Sequence, residues 1–380
     1  MKILHCAHSL DPATGGPVEF LKQITRAMVC RGHDLEVVSL DTPDVPGRED
    51  LPAKVHRLGS GRGSYGYSPS YLPWLRGHGA EFNAVMIHGL WQYQSFGAWR
   101  ALRDSGTPYY VFPHGMLDPW FNRAHPLKHL KKLIYWRWAE YRVLRDAAAV
   151  FFGCEEERRL ARESFSPYRC REIVVNFGTA TPQVDLTLAR EEFLSAFPQL
   201  RAKSFLLFLG RLHPKKGLEE LIRAFARVAS PHLVIAGPCT NQDYLQNLHL
   251  LTAELNLASR ITFTGMLSGS RKWGALAAAE AFILPSHQEN FGIAVVEALA
   301  CARPVLLSRQ VNIWHEIVAD GCGLAESDDL AGTQLLLERW VETSPAKRMA
   351  MREKARRSFA DRFEINRSVD SLLGALHAKP

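Results

Sequence analysis

The sequence predicts an α/β protein built from two doubly wound parallel sheets, and three observations carry that prediction. Short apolar runs alternate with stretches of helical periodicity, and the whole alternation occurs twice. The runs are continuous and do not alternate apolar with polar, which marks strands covered by helices on both faces. At 380 residues the chain exceeds the usual single-domain range, and its 47% apolar and 22% charged residues are enough to fill two cores.

In the first half, KILHCA reads as a strand, VEFLKQITRAMVCRG as an amphipathic helix and LEVVSL as the second strand. VHRLG is a third strand-like segment, followed by AVMIHGL, PYYVFPHG and, after a long helical stretch, AAAVFFG. In the second half, SFLLFLG, PHLVIAG, ITFTG, EAFILPS and RPVLLS read as strands, with helices such as LEELIRAFARVA between them. The boundary falls between NFGTATPQVD and SAFPQLRAK, around residues 178–203, which gives domains of 1–185 and 186–360. In such sheets ligands are expected beyond the carboxyl ends of the strands.

The net charge of +7 points to an anionic partner: a phosphorylated small molecule, an acidic membrane surface or nucleic acid. No recognisable nucleic-acid reading module accompanies the charge, so nucleic acid is not expected. The seven cysteines never form a C-x-x-C pair and suit buried free thiols in a reducing compartment better than disulfides or a zinc site. MKILHCAHSL is too brief for a secretory signal core, and no apolar run approaches the ~20 residues that span a bilayer. A soluble cytoplasmic protein is expected, or one that touches the inner face of a membrane peripherally.

LPSHQENFGIAVVEALACARPVLLS is the most informative stretch. Glu289 and Glu297 stand eight positions apart, and Asn290, Phe291, Gly292 and Ile293 follow the first of them. A carboxylate among Ile293, Val295, Val296 and Leu299 is expensive to bury unless something hydrogen-bonds it. Gly292 lets a backbone approach a ligand and opens a helix whose free N–H groups suit an anion. The alternative is an ordinary strand–loop–helix unit with Glu289 in solvent and Glu297 capped.

Other loops carry weaker signals. In HSLDPATGGPVEF, Gly15, Gly16 and Pro17 stand at a helix start, either as a phosphate- or acceptor-contacting loop or as a flexible turn. In FLGRLHPKKGLEE, Arg211, Lys215 and Lys216 lie between Gly210 and Gly217, a set that suits a diphosphate. His114, in VFPHGMLDPW, ends an apolar strand where an imidazole can meet a sugar hydroxyl, and His88 in MIHGLWQ ends another; the alternative for each is a structural histidine. Gly61, Gly63 and Gly66 fit G-x-G-x-x-G with Glu81 about 20 residues on, but they follow the third strand-like segment and Glu81 precedes its strand, so they do not indicate a dinucleotide site. From Arg123 to Arg145 the chain is rich in cations and aromatics, and Leu127, Leu130, Ile134, Tyr141 and Leu144 trace an apolar stripe. That stripe either packs on the core beneath a solvated basic face or lies on an anionic membrane surface.

Taken together, these residues resemble the retaining glycosyltransferases of family 4, particularly bacterial members of exopolysaccharide or lipopolysaccharide assembly. The resemblance rests on Glu289 and Glu297 with seven residues between, ENFG, GRLHPKKG, the AGP after PHLVI, FTGML and PHGMLDPW, which span both halves in the family's order. It implies the GT-B fold, two Rossmann-like doubly wound parallel-sheet domains facing a central cleft. The first domain would bind the acceptor, the second a UDP- or GDP-sugar, and the final helix, within 361–380, would pack back on the first. Arg211 and Lys216 would neutralise the leaving diphosphate, helped by backbone amides from Phe291 to Ile293. Glu289 would hold the donor sugar's hydroxyls, Glu297 the ribose, and His114 the transferring sugar, with Gly16 near the phosphates or acceptor. The acceptor would be lipid-linked or an oligosaccharide. No D-x-D occurs, in keeping with a reaction needing neither metal nor cofactor. Two departures concern the donor loop: Ala302 stands where glycine is usual, and Asn312 where proline is frequent. A nucleotide-sugar epimerase of the same fold and a non-catalytic sugar- or nucleotide-binding protein are the alternatives.

Overall fold

The computed structural model describes residues 1–42, 44–45, 51–59, 63–120, 126–229 and 231–378. The chain divides into two units, Met1–Gly178 with Ile365–Pro380, and Thr179–Glu364.

Unit 1 holds seven parallel strands: β1 Lys2–Ala7, β2 Asp34–Ser39, β3 Lys54–Arg57, β4 Ala84–His88, β5 Tyr109–Phe112, β6 Ala149–Phe152 and β7 Glu172–Val174. Their order is β3-β2-β1-β4-β5-β6-β7. The central strands are buried throughout, as the continuous apolar runs require. The two edge strands β3 and β7 are short and half-buried, and β7 reads Glu-Ile-Val. Helix Gly16–Cys30 starts after Gly15, whose φ of 87° is left-handed, and has Pro17 in its first turn. It buries Val18, Phe20, Leu21, Ile24 and Met28, each such side chain contributing roughly 1.5–3 kcal/mol of burial. The C-terminal helix Ile365–His377 packs against it, and Arg31 closes the join to Asp370 at 2.5 Å and to the Asn366 carbonyl at 3.1 Å.

Unit 2 repeats the plan with β8 Phe205–Leu209, β9 His232–Ala236, β10 Ile261–Gly265, β11 Ala281–Leu284, β12 Val305–Ser308 and β13 Gly323–Glu326. The order is β10-β9-β8-β11-β12-β13, again parallel. Phe205, Phe208, Phe225 and Phe282 fill its core with Phe193 and Trp340. Each sheet reverses direction beside its first strand, between β1 and β4 in unit 1 and between β8 and β11 in unit 2. At such switch points the loops diverge, which leaves room for a ligand at the carboxyl ends.

The predicted stripe on the basic aromatic segment does not form one buried face: Leu130 is 60% and Ile134 71% exposed, whereas Leu144 is buried. The cause is a π-helical turn, Trp136–Glu140, between helices Pro126–Tyr135 and Tyr141–Arg145. Its extra residue rotates the face, so Trp136, Ala139, Val143 and Leu144 turn inward while Leu130, Ile134 and Trp138 turn outward. The free cysteines divide: Cys6, Cys154, Cys301 and Cys322 are buried, Cys30 is exposed and the other two are intermediate. Of the false dinucleotide fingerprint, Gly61 lies outside the described residues, as does Arg123 of the basic segment; Gly63 and Gly66 occupy loop positions with φ of 63° and 71°. No helix among the described residues is long and apolar enough to cross a membrane.

Candidate functional site

In unit 2 the loops after β8 and β11 meet at the switch point. After β8 the chain passes Arg211 and His213, makes a single helical turn Pro214–Lys216, and enters helix Leu218–Arg227 through Gly217. Gly217 has φ 67°, and a Cβ there would stand 2.2 Å from the Pro285 carbonyl oxygen, so only glycine lets the two loops close together. Three bonds lock the join. His287 N–H donates to the Lys215 carbonyl at 2.8 Å, Lys215 Nζ donates to Gln288 Oε1 at 3.0 Å, and Lys216 Nζ pairs with Glu289 Oε2. The last pair is largely shielded, with side chains 15% and 18% exposed, so its attraction is less screened than that of a surface pair.

His287 stabilises the same join from behind. Its ring lies 2.8 Å from Asp328 and 3.5 Å from Glu220. Hydrogen bonding to Glu220, and then to Asp328, raises its pKa to about 9 against the cost of burial.

The loop after β11 is also tied to the loop after β12. Glu289 N–H donates to the Gln310 carbonyl at 2.9 Å, and Asn312 N–H donates back to the Glu289 carbonyl at 3.0 Å. Asn312 Nδ2 reaches Asn290 Oδ1 at 3.3 Å. Phe291 is buried, and Gly292, at φ 73°, caps helix Ile293–Ala300. Glu297 lies on this helix, its side chain 6% exposed, and Lys272 from helix Gly269–Ala278 places Nζ 2.6 Å from Glu297 Oε1. That cation answers how the sequence tolerates a carboxylate among Val295, Val296 and Leu299. The arrangement thus brings Lys215, Lys216, Glu289, Asn290, Phe291, Gly292 and Ile293 to the carboxyl end of the two central strands. Arg211 is on the same β8 loop, exposed and without an ion pair among the described residues.

In unit 1 the switch point holds a line of three histidines. His5 on β1 places Nδ1 2.8 Å from His88 Nε2 on β4, and His88 Nδ1 lies 2.9 Å from His114 Nε2 just beyond β5. Register explains the line, because His5 pairs with Met86 and His88 with Phe112, so side chains two residues further along share a face. Burial pushes His5 down to about 4 and His114 to about 3, and lowers His88 well below the usual range with help from both neighbours. All three rings are therefore neutral at pH 7. His114 has φ 51°, is half-buried and packs beside Phe20, Phe112 and Phe177. Gly16 is exposed at the start of its helix.

The sequence reading did not find Lys272, His5, Asn312 as a donor, or Lys215 with Gln288. Lys272 is 25 residues from Glu297 and His5 is 83 from His88, and no local pattern joins either pair.

Residues 190–358 match the family model "Glycosyl transferases group 1", and residues 15–176 match "Glycosyl transferase 4-like domain". The chain belongs to the GT4-type glycosyltransferases. This GT4-type chain is 33% identical over 141 residues to an uncharacterized glycosyltransferase of Methanocaldococcus jannaschii, a match covering 36% of the chain and 35% of that relative's length. Its fold resembles sucrose-phosphate synthase from Thermosynechococcus elongatus, with a TM-score of 0.80 at 19% identity over 100% of both chains. It also resembles Anabaena HepE in complex with UDP and glucose, with a TM-score of 0.77 at 18% identity over 99% of each. Both likenesses are of fold, the GT-B class with its two parallel sheets.

The two departures of this GT4-type sequence have physical consequences. Ala302 has φ 55°, the left-handed region where a Cβ costs about 1–2 kcal/mol and glycine costs nothing. Asn312 donates both a backbone and a side-chain hydrogen bond to the Glu289–Asn290 loop, which a proline there could not do.

Proposed function

We propose that this protein transfers a sugar from a nucleotide diphosphate sugar, a UDP- or GDP-sugar, to a lipid-linked or oligosaccharide acceptor. In this reading configuration is retained, no metal ion takes part, and the product enters a bacterial cell-surface polysaccharide. The observation that carries the proposal is the Lys216–Glu289 pair at the switch point of unit 2, next to the N-terminus of helix Ile293–Ala300. A diphosphate requires cations and N–H donors converging on one point, and a basic loop beside a helix N-terminus suits that need. The UDP and glucose bound to the structurally similar HepE support the same ligand class.

On this reading Lys216 and Arg211 stabilise the negative charge that grows on the leaving diphosphate, and the amides of Phe291 to Ile293 add to it. Glu289 has two tasks: it holds Lys216 in place and accepts from the donor sugar's hydroxyls. Glu297, steadied by Lys272, accepts from the ribose. The acceptor hydroxyl attacks from the face the nucleotide leaves and gives its proton to the departing phosphate, so no protein nucleophile is required. Unit 1 carries the acceptor side, with His114 as a sugar-contacting group and Gly16 close to the phosphates or acceptor.

The outward row Leu130, Ile134 and Trp138, flanked by exposed Lys131, Arg137 and Arg142, supports peripheral docking on an anionic membrane surface, where a lipid-linked acceptor resides. The decisive experiment is nucleotide release from a panel of UDP-, GDP- and ADP-sugars with chelator present, with and without acceptor extracts. Release of one nucleotide that depends on acceptor and disappears in Lys216→Ala and Glu289→Ala supports the proposal. Conversion of the sugar nucleotide into its epimer without acceptor favours an epimerase, and binding without turnover favours a binding protein.

A further inference from the structure

The three-histidine line has a polarity, and that polarity decides what His114 offers a ligand. Each ring is neutral, so each carries one proton, and the two hydrogen bonds at 2.8 and 2.9 Å each need one N–H and one lone pair. Because neutral His88 sits in the middle and has one of each, the protons must point the same way along the line. Two arrangements satisfy this. In the outward one, His5 donates from Nδ1 to His88 Nε2, His88 donates from Nδ1 to His114 Nε2, and His114 carries its proton on Nδ1. In the inward one every proton sits on Nε2, and the last N–H is that of His5.

The two ends of the line are not equivalent. His5 is 0% exposed, and its Nε2 is buried with no hydrogen-bond partner among the described residues. His114 is half-buried at the carboxyl end of the sheet, and its Nδ1 is not among the buried unpartnered atoms. The inward arrangement would strand an N–H in the core, and orphaned buried donors are the rarest unpaired groups in folded proteins. The outward arrangement leaves only a lone pair at the closed end and brings the spare N–H to the open end, where water or a ligand reaches it.

We propose that His5 and His88 are positioning residues that hold His114 as the Nδ1–H tautomer, so that His114 meets its ligand as a hydrogen-bond donor to a hydroxyl or phosphate oxygen. The ligand half of this statement rests on the functional reading above, whereas the tautomer half concerns the free protein. An unconstrained neutral imidazole favours the Nε2–H form, so the line works against the ring's own preference and converts an acceptor-facing nitrogen into a donor. His5 and His88 never touch the ligand. Their effect passes through two hydrogen bonds.

The test is ¹⁵N NMR of the full-length chain labelled at histidine, at pH 7 without ligand, because protonated and unprotonated ring nitrogens resonate far apart. The His114 signals are assigned by their loss in His114→Asn, a substitution that the left-handed backbone there tolerates. The expected result is a protonated Nδ1 and an unprotonated Nε2 for His5, His88 and His114, and in His88→Phe a displacement of the His114 pair toward the Nε2–H pattern. A proton on Nε2 of His114 in the wild-type chain overturns the proposal, and so does an unchanged His114 pattern in folded His88→Phe. The wild-type spectrum decides even if His88→Phe does not fold. Neither result depends on nucleotide-sugar binding, so failure here and failure of the functional reading are separately visible.

Discussion

Removing Lys272 tests how unit 2 tolerates the Glu297 carboxylate. Glu297 is 6% exposed at the side chain and Lys272 25%, with Nζ and Oε1 2.6 Å apart. Truncating one partner of a fully buried ion pair costs about 3–5 kcal/mol where the remaining charge is left wholly uncompensated, an upper bound here. The Lys272 ammonium is a quarter exposed, so water takes over part of its role, and Lys272→Met is expected to destabilise unit 2 by about 2–3 kcal/mol. For a unit of this size that is roughly 4–12 °C in Tm. Neutralising the survivor as well, in Lys272→Met with Glu297→Gln, removes the buried charge and leaves a cost of about 1 kcal/mol. The double variant is then about 1–2 kcal/mol more stable than Lys272→Met alone, because the buried charge is neutralised with its partner. Urea denaturation of the full chain measures these values, and amide exchange in β11 and β12 places them in unit 2. A Lys272→Met variant within about 0.5 kcal/mol of wild type, or a double variant no more stable than the single, refutes the reasoning.

Other outcomes follow from single positions. Gly217→Ala forces a Cβ to within 2.2 Å of the Pro285 carbonyl at φ 67°, so a loss of at least about 2 kcal/mol in denaturant titrations is expected, together with loosening of the Lys216 loop. Ala302→Gly relieves a left-handed alanine at φ 55° but adds unfolded-chain entropy, for a net gain of up to about 1 kcal/mol in the same titration. His287, with its pKa raised to about 9, stabilises the fold below its unfolded pKa near 6.5, and this contribution fades as pH rises through 9. Allowing for its partial exposure, His287→Asn should abolish about 1–2 kcal/mol of the stability difference between pH 6.5 and pH 10, measured by thermal unfolding across that window. His5 and His114 behave in the opposite sense: their pKa values are lowered to about 4 and 3, so the unfolded chain takes up protons first and unit 1 loses stability as pH falls from 6.5 toward 4. Thermal unfolding at pH 7, 5.5 and 4.5 checks this, and a Tm insensitive to pH over that range contradicts it.

Much of the fold was legible because buried parallel strands write continuous apolar runs. KILHCA, SFLLFLG and PHLVIAG became β1, β8 and β9 with bounds shifted by a residue at most at either end. The edge strands β7 and β13 were not legible, since Glu-Ile-Val and Gly-Leu-Ala-Glu are too short and too mixed to stand out. In the site, glycines and clustered cations marked the loops after β8 and β11, because backbone conformation and local charge are sequence-local properties. Lys272 and His5 were invisible for the converse reason. Each matters through a partner that chain topology delivers from another strand or helix. The π turn at Trp136–Glu140 was hidden too, as one inserted residue shifts the phase of an apolar stripe without altering its composition.

In the proposed reaction the β8 and β11 loops of unit 2 bind a nucleotide diphosphate sugar through Lys216. Calorimetric titration of the full-length protein with UDP-, GDP- and ADP-sugars, chelator present, tests it most directly. One nucleotide class is expected to bind, and Lys216→Ala to weaken it at least tenfold, equivalent to about 1.4 kcal/mol. Binding that is undiminished in Lys216→Ala, or no binding by any sugar nucleotide to the wild-type chain, contradicts it.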